Sequence, residues 1–186
     1  MNSTGKLRLN GIRAAMASAV FLGLIPVFGK QAILLGFSPL AVVALRTGIA
    51  TLLLFALMLF FQRPFFYIYP VGLVGCLLAG AVNGLGSILY YSALGRIPAS
   101  LGQLIYSFYP LFVAFWLLLD HQKLGKITYV RLLVSVQAIY LLLSAGNQEI
   151  DLVGALMMMG SALLYALHLI INQRVLLDVP APTVTL

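Results

Sequence analysis

The chain is 186 residues long, 62% hydrophobic and 8% charged, and its mean hydropathy is +1.08. A soluble globule of this length could not bury so much apolar surface, so the composition excludes a soluble domain and predicts a polytopic membrane protein. The net charge of +7 is spread along the chain without a dense basic cluster, which argues against a nucleic-acid partner. The expected surroundings are a lipid bilayer.

Six apolar segments follow one another along the chain, and each is long enough to cross a bilayer as a helix. They comprise residues 12–35, 39–61, 71–94, 99–119, 129–145 and 152–171. Membrane-spanning strands alternate polar and apolar residues, and these segments do not, so we predict an all-α fold with six transmembrane helices. Ser38-Pro39 is typical of a helix start, and Gly146-Asn147 of a helix end.

Charged residues are distributed unequally between the two sides that these spans define. One side carries Lys6, Arg8, Arg13, Arg63, Lys123, Lys126, Arg131 and Arg174. The other side carries Lys30, Arg96, Glu149 and Asp151. The positive-inside rule therefore predicts that the N-terminus and the C-terminus are both cytoplasmic. The short loops and the lack of a transit peptide favour a bacterial inner (plasma) membrane.

Side chains for catalysis or metal binding are scarce. Cys76 is the single cysteine, so the chain can form neither an intrachain disulfide nor a thiol cluster for a metal. No acidic residue lies inside a predicted span, His168 is the one histidine within a span, and no phosphate-binding glycine loop occurs. We therefore predict no enzyme activity, no catalytic residue, no metal site and no cofactor.

Residues 154–186 resemble a second copy of residues 11–43. Identical residues align at positions 11/154, 16/159, 18/161, 19/162, 24/167, 34/177 and 39/182. Because five predicted spans precede the second copy, it would enter the membrane from the opposite side, as in an inverted-repeat transporter. The predicted organisation is a cytoplasmic segment at 1–10, a five-helix repeat at 11–146, and the first helix of a truncated second repeat at 147–186.

Polar side chains inside three of the spans recur at helical spacing, which places them on one face of each helix. The candidates are Asn83, Ser87, Tyr90 and Tyr91 in the third span, Gln103, Tyr106, Ser107 and Pro110 in the fourth, and Ser161, Tyr165, His168 and Asn172 in the sixth. Polar groups that face lipid are costly, so these stripes are expected to face one interior and to line a solute pathway. The alternative is that they hold helices together or anchor them at the membrane interface.

Three ionisable residues within or beside the spans each have two interpretations. Arg46 could contact an anionic solute, or its side chain could extend to the membrane boundary. His168 could couple transport to protons, because histidine side chains ordinarily titrate near neutrality, or it could make a structural hydrogen bond. Lys30 is expected to extend to the boundary.

Prolines and glycines within the spans carry two further predictions. Pro26 and Pro110 each remove a backbone hydrogen bond, which predicts broken helices with freed carbonyl groups near the middle of the membrane. Gly80 and Gly84 have the small-xxx-small spacing that is typical of close helix packing.

Three segments carry a family resemblance: residues 38–47 (SPLAVVALRT), 90–100 (YYSALGRIPAS) and 107–112 (SFYPLF). In order and spacing they resemble the second, third and fourth helices of the EamA-type repeat of the drug/metabolite transporter superfamily. The resemblance implies two five-helix repeats and movement of small metabolites or drugs by alternating access. It covers one repeat and the first helix of the next. The chain departs from the family pattern at Asp120 or His121, where a glutamate is usual, and at Leu22-Gly23, where tryptophan-glycine is common.

Together these patterns predict an incomplete inverted-repeat transporter fold and a secondary transporter of small organic solutes. Two alternatives remain open at this point. The chain could be a truncated half-transporter without transport of its own, or a membrane scaffold that binds partner subunits. Under the transporter interpretation, a homodimer or a missing second half would complete the set of spans.

Overall fold

The computed structural model describes residues 3–61, 70–121 and 151–186, with isolated positions between 125 and 137. In these residues the secondary structure is helical: α1 (Ser3–Leu34), α2 (Pro39–Phe61), α3 (Pro70–Arg96), α4 (Ala99–Tyr106), α5 (Tyr109–Leu119), α6 (Leu152–Val175) and α7 (Ala181–Thr185). Five segments of the described chain are long and apolar enough to cross a membrane, with α4 and α5 forming one of them. The predicted all-α polytopic fold is confirmed. The predicted span at 129–145 and its end at Gly146-Asn147 lie outside the continuously described residues.

The turn between α1 and α2 follows from its sequence. Gly36 has a positive φ of 96°, which favours glycine, and its N–H donates to the carbonyl of Ile33 at 3.0 Å, while the N–H of Phe37 donates to that of Ala32 at 3.2 Å. This pair of bonds is the Schellman arrangement that ends many helices. The Ser38 hydroxyl then accepts the N–H of Ala41 at 3.2 Å. The predicted start of the second helix at Ser38-Pro39 is therefore confirmed.

The two prolines inside spans behave differently. α1 continues through Pro26, so the predicted break there is wrong; proline locks a φ compatible with a helix, and the neighbouring turns sustain α1. A break does occur between α4 and α5, where the N–H of Ser107 is shared by the carbonyls of Gln103 and Leu104 at 3.0 and 3.1 Å. Pro110 is the second residue of α5 and cannot donate to a carbonyl one turn earlier.

α3 and α6 pack against each other along most of their lengths and run antiparallel. The Ser161 hydroxyl, which is buried, donates to the carbonyl of Gly86 at 2.7 Å. Near the start of α6, a methyl group placed on Gly154 would lie 2.8 Å from Ile97 Cγ2, just beyond the end of α3. Near the end of α6, one placed on Gly75 would lie 2.6 Å from Val175 Cγ2. The absence of a side chain at these glycines permits the close approach.

Among the described residues, no helix packs closely against Gly80 or Gly84, and the predicted packing surface there stays a prediction. A methyl group placed on either glycine would meet open space within 4 Å. The face of α3 that meets α6 carries Gly75, Ala79 and Gly86 instead, of which Ala79 and Gly86 are buried. The small-xxx-small spacing marked two positions that share a face, but not the face that α6 covers.

α1 and α6 run in opposite directions. Gly29 of α1 lies against the ring of Tyr91, and Ile33, one turn later, approaches Gly95, so α1 runs parallel to α3. Because α6 is antiparallel to α3, it is also opposed to α1. We call the end of the bundle where α1 and α3 finish and α6 begins the Lys30 end, and the opposite end the Arg174 end.

Charged side chains link neighbouring helices at both ends of the bundle. At the Lys30 end, Lys30 Nζ donates to the carbonyl of Leu94 and, at 3.1 Å, to that of Ile97. A cation at this position satisfies carbonyl groups that the end of α3 leaves unpaired. Lys30 therefore links α1 to the end of α3, in addition to its expected position at the membrane boundary. At the Arg174 end, Arg174 forms an ion pair with Asp120, which joins α6 to the end of α5.

Asp151 begins α6 at the Lys30 end. Its Oδ1 accepts the N–H groups of Val153 and Gly154 at 2.9 and 3.1 Å, and its Oδ2 accepts Arg96 Nη1 at 3.3 Å. These bonds, with that of Gly154 foremost, lower the pKa of the Asp151 carboxyl from its ordinary 3.8. The carboxylate is thus both the N-cap of α6 and a link to α3.

Asp151→Ala should lower the midpoint temperature of unfolding at neutral pH, because α6 loses its cap and Arg96 its partner. A carboxyl with a lowered folded pKa stabilises the fold above its unfolded pKa, and this contribution is lost as the pH falls through the folded pKa. The difference between parent and variant should therefore shrink below pH 3.8, measured by thermal melts in detergent at several pH values. Asp178→Ala is the control, and a difference that grows on acidification would contradict the assignment.

Candidate functional site

A cavity of about 410 Å³ lies at mid-depth in the bundle. Its walls come from the middle of α3 and α6, from α1 and α2, and from the α4–α5 break. The lining residues are Leu22, Ile25, Pro26, Arg46, Asn83, Gly86, Ser87, Tyr90, Tyr91, Gln103, Tyr106, Ser107, Tyr109, Ser161, Tyr165 and His168. The volume falls in the range of cavities that enclose small organic ligands. We call this space the central cavity.

The structure brings every sequence-predicted pathway residue except Pro110 and Asn172 to the central cavity. Helical spacing identified them because residues three and four apart share a face. Pro110 does not line the cavity, since it begins α5 just after the break. Asn172 lies one turn beyond His168 on α6 and lines a different space.

Five lining residues were not among the predicted pathway positions: Leu22, Ile25, Pro26, Gly86 and Tyr109. The three lining residues of α1, Leu22, Ile25 and Pro26, have apolar side chains. No polar stripe on α1 therefore indicated that this helix forms a wall of the cavity. Gly86 reaches the cavity because α3 and α6 meet there. Tyr109 follows the α4–α5 break, which changes the helical register and brings its ring toward Tyr165, with ring centroids 5.3 Å apart.

Tyrosine rings form a continuous wall of the central cavity. Tyr106 stands at its centre, with ring centroids 5.1 Å from Tyr90, 5.4 Å from Tyr165 and 6.2 Å from Tyr109. The wall continues from Tyr90 to Tyr91 at 5.3 Å in an edge-to-face arrangement. These separations are those of favourable aromatic pairs, so the rings support one another and present faces and hydroxyl groups to the cavity.

Hydrogen bonds fix several polar groups of the wall. The Tyr90 hydroxyl donates to Gln103 Oε1 at 3.1 Å, and the Ser107 hydroxyl donates to the carbonyl of Gln103 at 2.8 Å. Ser161 uses its hydroxyl to bind the α3 backbone, so it acts mainly in helix packing. Gln103 thus connects α3 to the α4–α5 break and holds its amide group at the cavity surface.

Arg46 reaches the central cavity from α2. Its guanidinium carbon lies 5.6 Å from the centroid of the Tyr91 ring, within the distance at which a cation is attracted to an aromatic face. Tyr91 is buried and its ring rests against Gly29 of α1. The arginine is therefore positioned by a ring that two helices hold in place.

His168 lines both the central cavity and a second cavity of about 770 Å³. Its Nδ1 lies 3.0 Å from the carbonyl of Ala79, and its Nε2 lies 3.0 Å from Asn172 Nδ2. A carbonyl can only accept, so Nδ1 donates to Ala79, and Nε2 pairs with the side-chain amide of Asn172. Both ring nitrogens have a hydrogen-bond partner, as expected if His168 makes structural hydrogen bonds.

The second cavity lies between α3, α6 and α7, toward the Arg174 end. Asn83 and His168 line both cavities, whereas Cys76, Asn172 and residues 183–186 line only the second. The predicted polar stripe on α6 is thus divided between the two cavities: Ser161 and Tyr165 line the central cavity, Asn172 lines the second, and His168 lines both. Among the described residues, no group of three or more histidine, cysteine or acidic side chains could hold a metal ion.

The sequence model of the EamA-like transporter family matches residues 9–144. This match covers most of the chain, from residue 9 within α1 through the end of α5 and beyond. The chain belongs to the EamA-like transporter family, a family of membrane transporters, and it is an integral membrane protein. No curated protein and no solved structure shows a significant match to it.

Proposed function

We propose that this chain is a secondary transporter that moves a small organic solute through the central cavity by alternating access. The observation that carries the proposal is the cavity itself. It lies at mid-depth, where transporters of this kind bind their substrates, and its walls combine tyrosine rings, amide groups and Arg46. Such a mixture suits an organic molecule with both apolar and polar parts.

The helix directions support an inverted second repeat. α1 and α6 are the first helices of the proposed repeats at 11–146 and 147–186, and they run in opposite directions past α3. Inverted repeats place a substrate site near the middle of the membrane, between the two repeats. The central cavity lies between α1 and α6, with Pro26 on one side and Tyr165 on the other.

The two cavities support alternating access. The central cavity lies nearer the Lys30 end and the second cavity nearer the Arg174 end, and among the described residues they share Asn83 and His168 alone. We propose that these two side chains form the barrier that a solute passes. The distribution of basic residues favours a cytoplasmic Arg174 end, so we propose a bacterial inner membrane with both termini cytoplasmic.

Thiol labelling with a charged, membrane-impermeant methanethiosulfonate tests this arrangement. Native Cys76 reports on the second cavity, and Ser107→Cys in a Cys76→Ser background reports on the central one. In right-side-out membrane vesicles the position-107 thiol should react, and in inverted vesicles Cys76 should react. Leu52→Cys in the same background is the control, because Leu52 is 70% exposed on the outside of the bundle and should face lipid.

Each outcome of the labelling experiment bears on a different part of the proposal. Reaction of both thiols from one side would contradict a barrier at Asn83 and His168. A position-107 thiol as unreactive as that at position 52 would contradict an aqueous central cavity. Reaction of each thiol from the side opposite to the expected one would reverse the proposed orientation while leaving both cavities in place.

A further inference from the structure

The described wall of the central cavity carries one permanent positive charge and no carboxylate. Arg46 is the one permanently charged side chain among its described lining residues. The chain has only four acidic residues, and the three that the structure describes, Asp120, Asp151 and Asp178, do not line the cavity. Asp120 and Asp151 are engaged by Arg174 and Arg96 at the two ends of the bundle. Nothing in the described wall therefore neutralises the charge of Arg46.

The contact with Tyr91 positions Arg46 without using its hydrogen-bonding capacity. A ring face attracts a cation but offers no lone pair to its N–H groups, of which a guanidinium has five. Among the described residues no carboxylate lies within ion-pair distance of Arg46. A planar guanidinium that has no carboxylate partner can donate two parallel hydrogen bonds to the two oxygens of a carboxylate or of a similar anion.

The tyrosine wall alone would not decide the charge of a ligand. Aromatic faces attract organic cations as well as other rings, and the pair formed by Tyr106 and Tyr165, with centroids 5.4 Å apart, could contact either. Arg46 decides the question because it repels a cation in the same cavity and attracts an anion, and the low dielectric of the bundle strengthens both effects.

We propose that the central cavity selects small aromatic solutes that carry a carboxylate or a similar anionic group. Arg46 binds the anionic group, and the tyrosine wall around Tyr106 contacts the ring. This inference rests on the proposed function, because it names the class of solute for the same cavity. Organic cations of equal size are excluded by the charge of Arg46.

Three probes of nearly equal size and different charge test the selectivity: 3-phenylpropionate, 3-phenylpropionamide and 3-phenylpropylamine. Their binding is measured by equilibrium dialysis against the purified chain in phosphatidylcholine nanodiscs, which have no net lipid charge. The carboxylate should bind about tenfold tighter than the amide, the difference expected of a charge-assisted hydrogen bond. The amine should bind most weakly.

Arg46→Gln should remove the preference for the carboxylate, and Arg46→Lys should keep part of it because the charge remains. Arg13→Gln changes the net charge equally but lies on α1 outside the cavity, so it should leave the preference unchanged. The comparison among probes in the parent protein keeps the inference testable even where a variant does not fold.

The outcomes separate this inference from the proposed function. Equal binding of carboxylate and amide, both weakened by Tyr106→Ala, would overturn selection for anions while the cavity remained the binding site. Preference for the amine would overturn it as well. Failure of all three probes to bind, or binding that neither Tyr106→Ala nor Arg46→Gln alters, would overturn both the inference and the proposed function.

Discussion

Tyr106→Ala should reduce uptake of 3-phenylpropionate into proteoliposomes by about tenfold or more. Three ring contacts of Tyr106 are lost at once, and each aromatic pair stabilises by up to about 1.5 kcal/mol. Tyr106 lies at the centre of the wall, in contact with Tyr90, Tyr109 and Tyr165. Its loss would both remove a surface for the solute and loosen the remaining rings. The variant Tyr106→Phe keeps the ring and should retain most of the uptake.

Phe115→Ala provides the matched control for this effect. Phe115 also contributes an aromatic ring to the same span, but it is 51% exposed and lies outside the central cavity. Its removal should change uptake little. Parental rates in Tyr106→Ala, or equal losses in Tyr106→Ala and Phe115→Ala, would show that the tyrosine wall has no special part in transport.

Gly154→Ala should destabilise the fold by about 1–3 kcal/mol, the usual cost of overpacking a well-packed site. The added methyl group would lie 2.8 Å from Ile97 Cγ2 and 3.0 Å from Arg96 Cβ. Ile97 is 1% exposed, so it cannot move aside, and Arg96 Cβ is fixed to the backbone. The start of α6 would have to shift away from the end of α3.

Gly84→Ala is the matched control, because a methyl group there meets open space and alanine favours a helix over glycine. Thermal unfolding in detergent can be followed by the fluorescence of Trp116, the single tryptophan, whose Nε1 donates to the carbonyl of Leu163 on α6 at 3.4 Å. The midpoint should fall for Gly154→Ala and stay or rise for Gly84→Ala. Equal shifts in the same direction would contradict close packing at Gly154.

Features that depend on one helix at a time were predictable from the sequence. Apolar length gave the spans that the structure describes, and Ser38 and Gly36 mark the turn where α1 ends and α2 begins. Helical spacing placed Gln103, Tyr106 and Ser107 on one face without knowledge of their neighbours, because the period of the helix is fixed.

Features that depend on how helices face each other were not predictable in the same way. The spacing of Gly80 and Gly84 could not indicate that α6 covers Gly86 instead. Lys30 was placed at the membrane boundary, but its bonds to the end of α3 require α1 and α3 to run parallel and side by side. Leu22 belongs to the cavity for the same reason, since its position is set by neighbouring helices.

Spin-label accessibility at Ser107 tests the central claim most directly, namely that the polar stripes enclose a water-accessible cavity within the membrane. Labels at Ser107→Cys and Leu52→Cys, each in a Cys76→Ser background, are compared for collision with a water-soluble nickel complex and with oxygen dissolved in lipid. The label at position 107 should collide mainly with nickel, and the label at position 52, near the middle of α2, mainly with oxygen. Dominance of oxygen at both positions would place Ser107 against lipid and contradict the cavity.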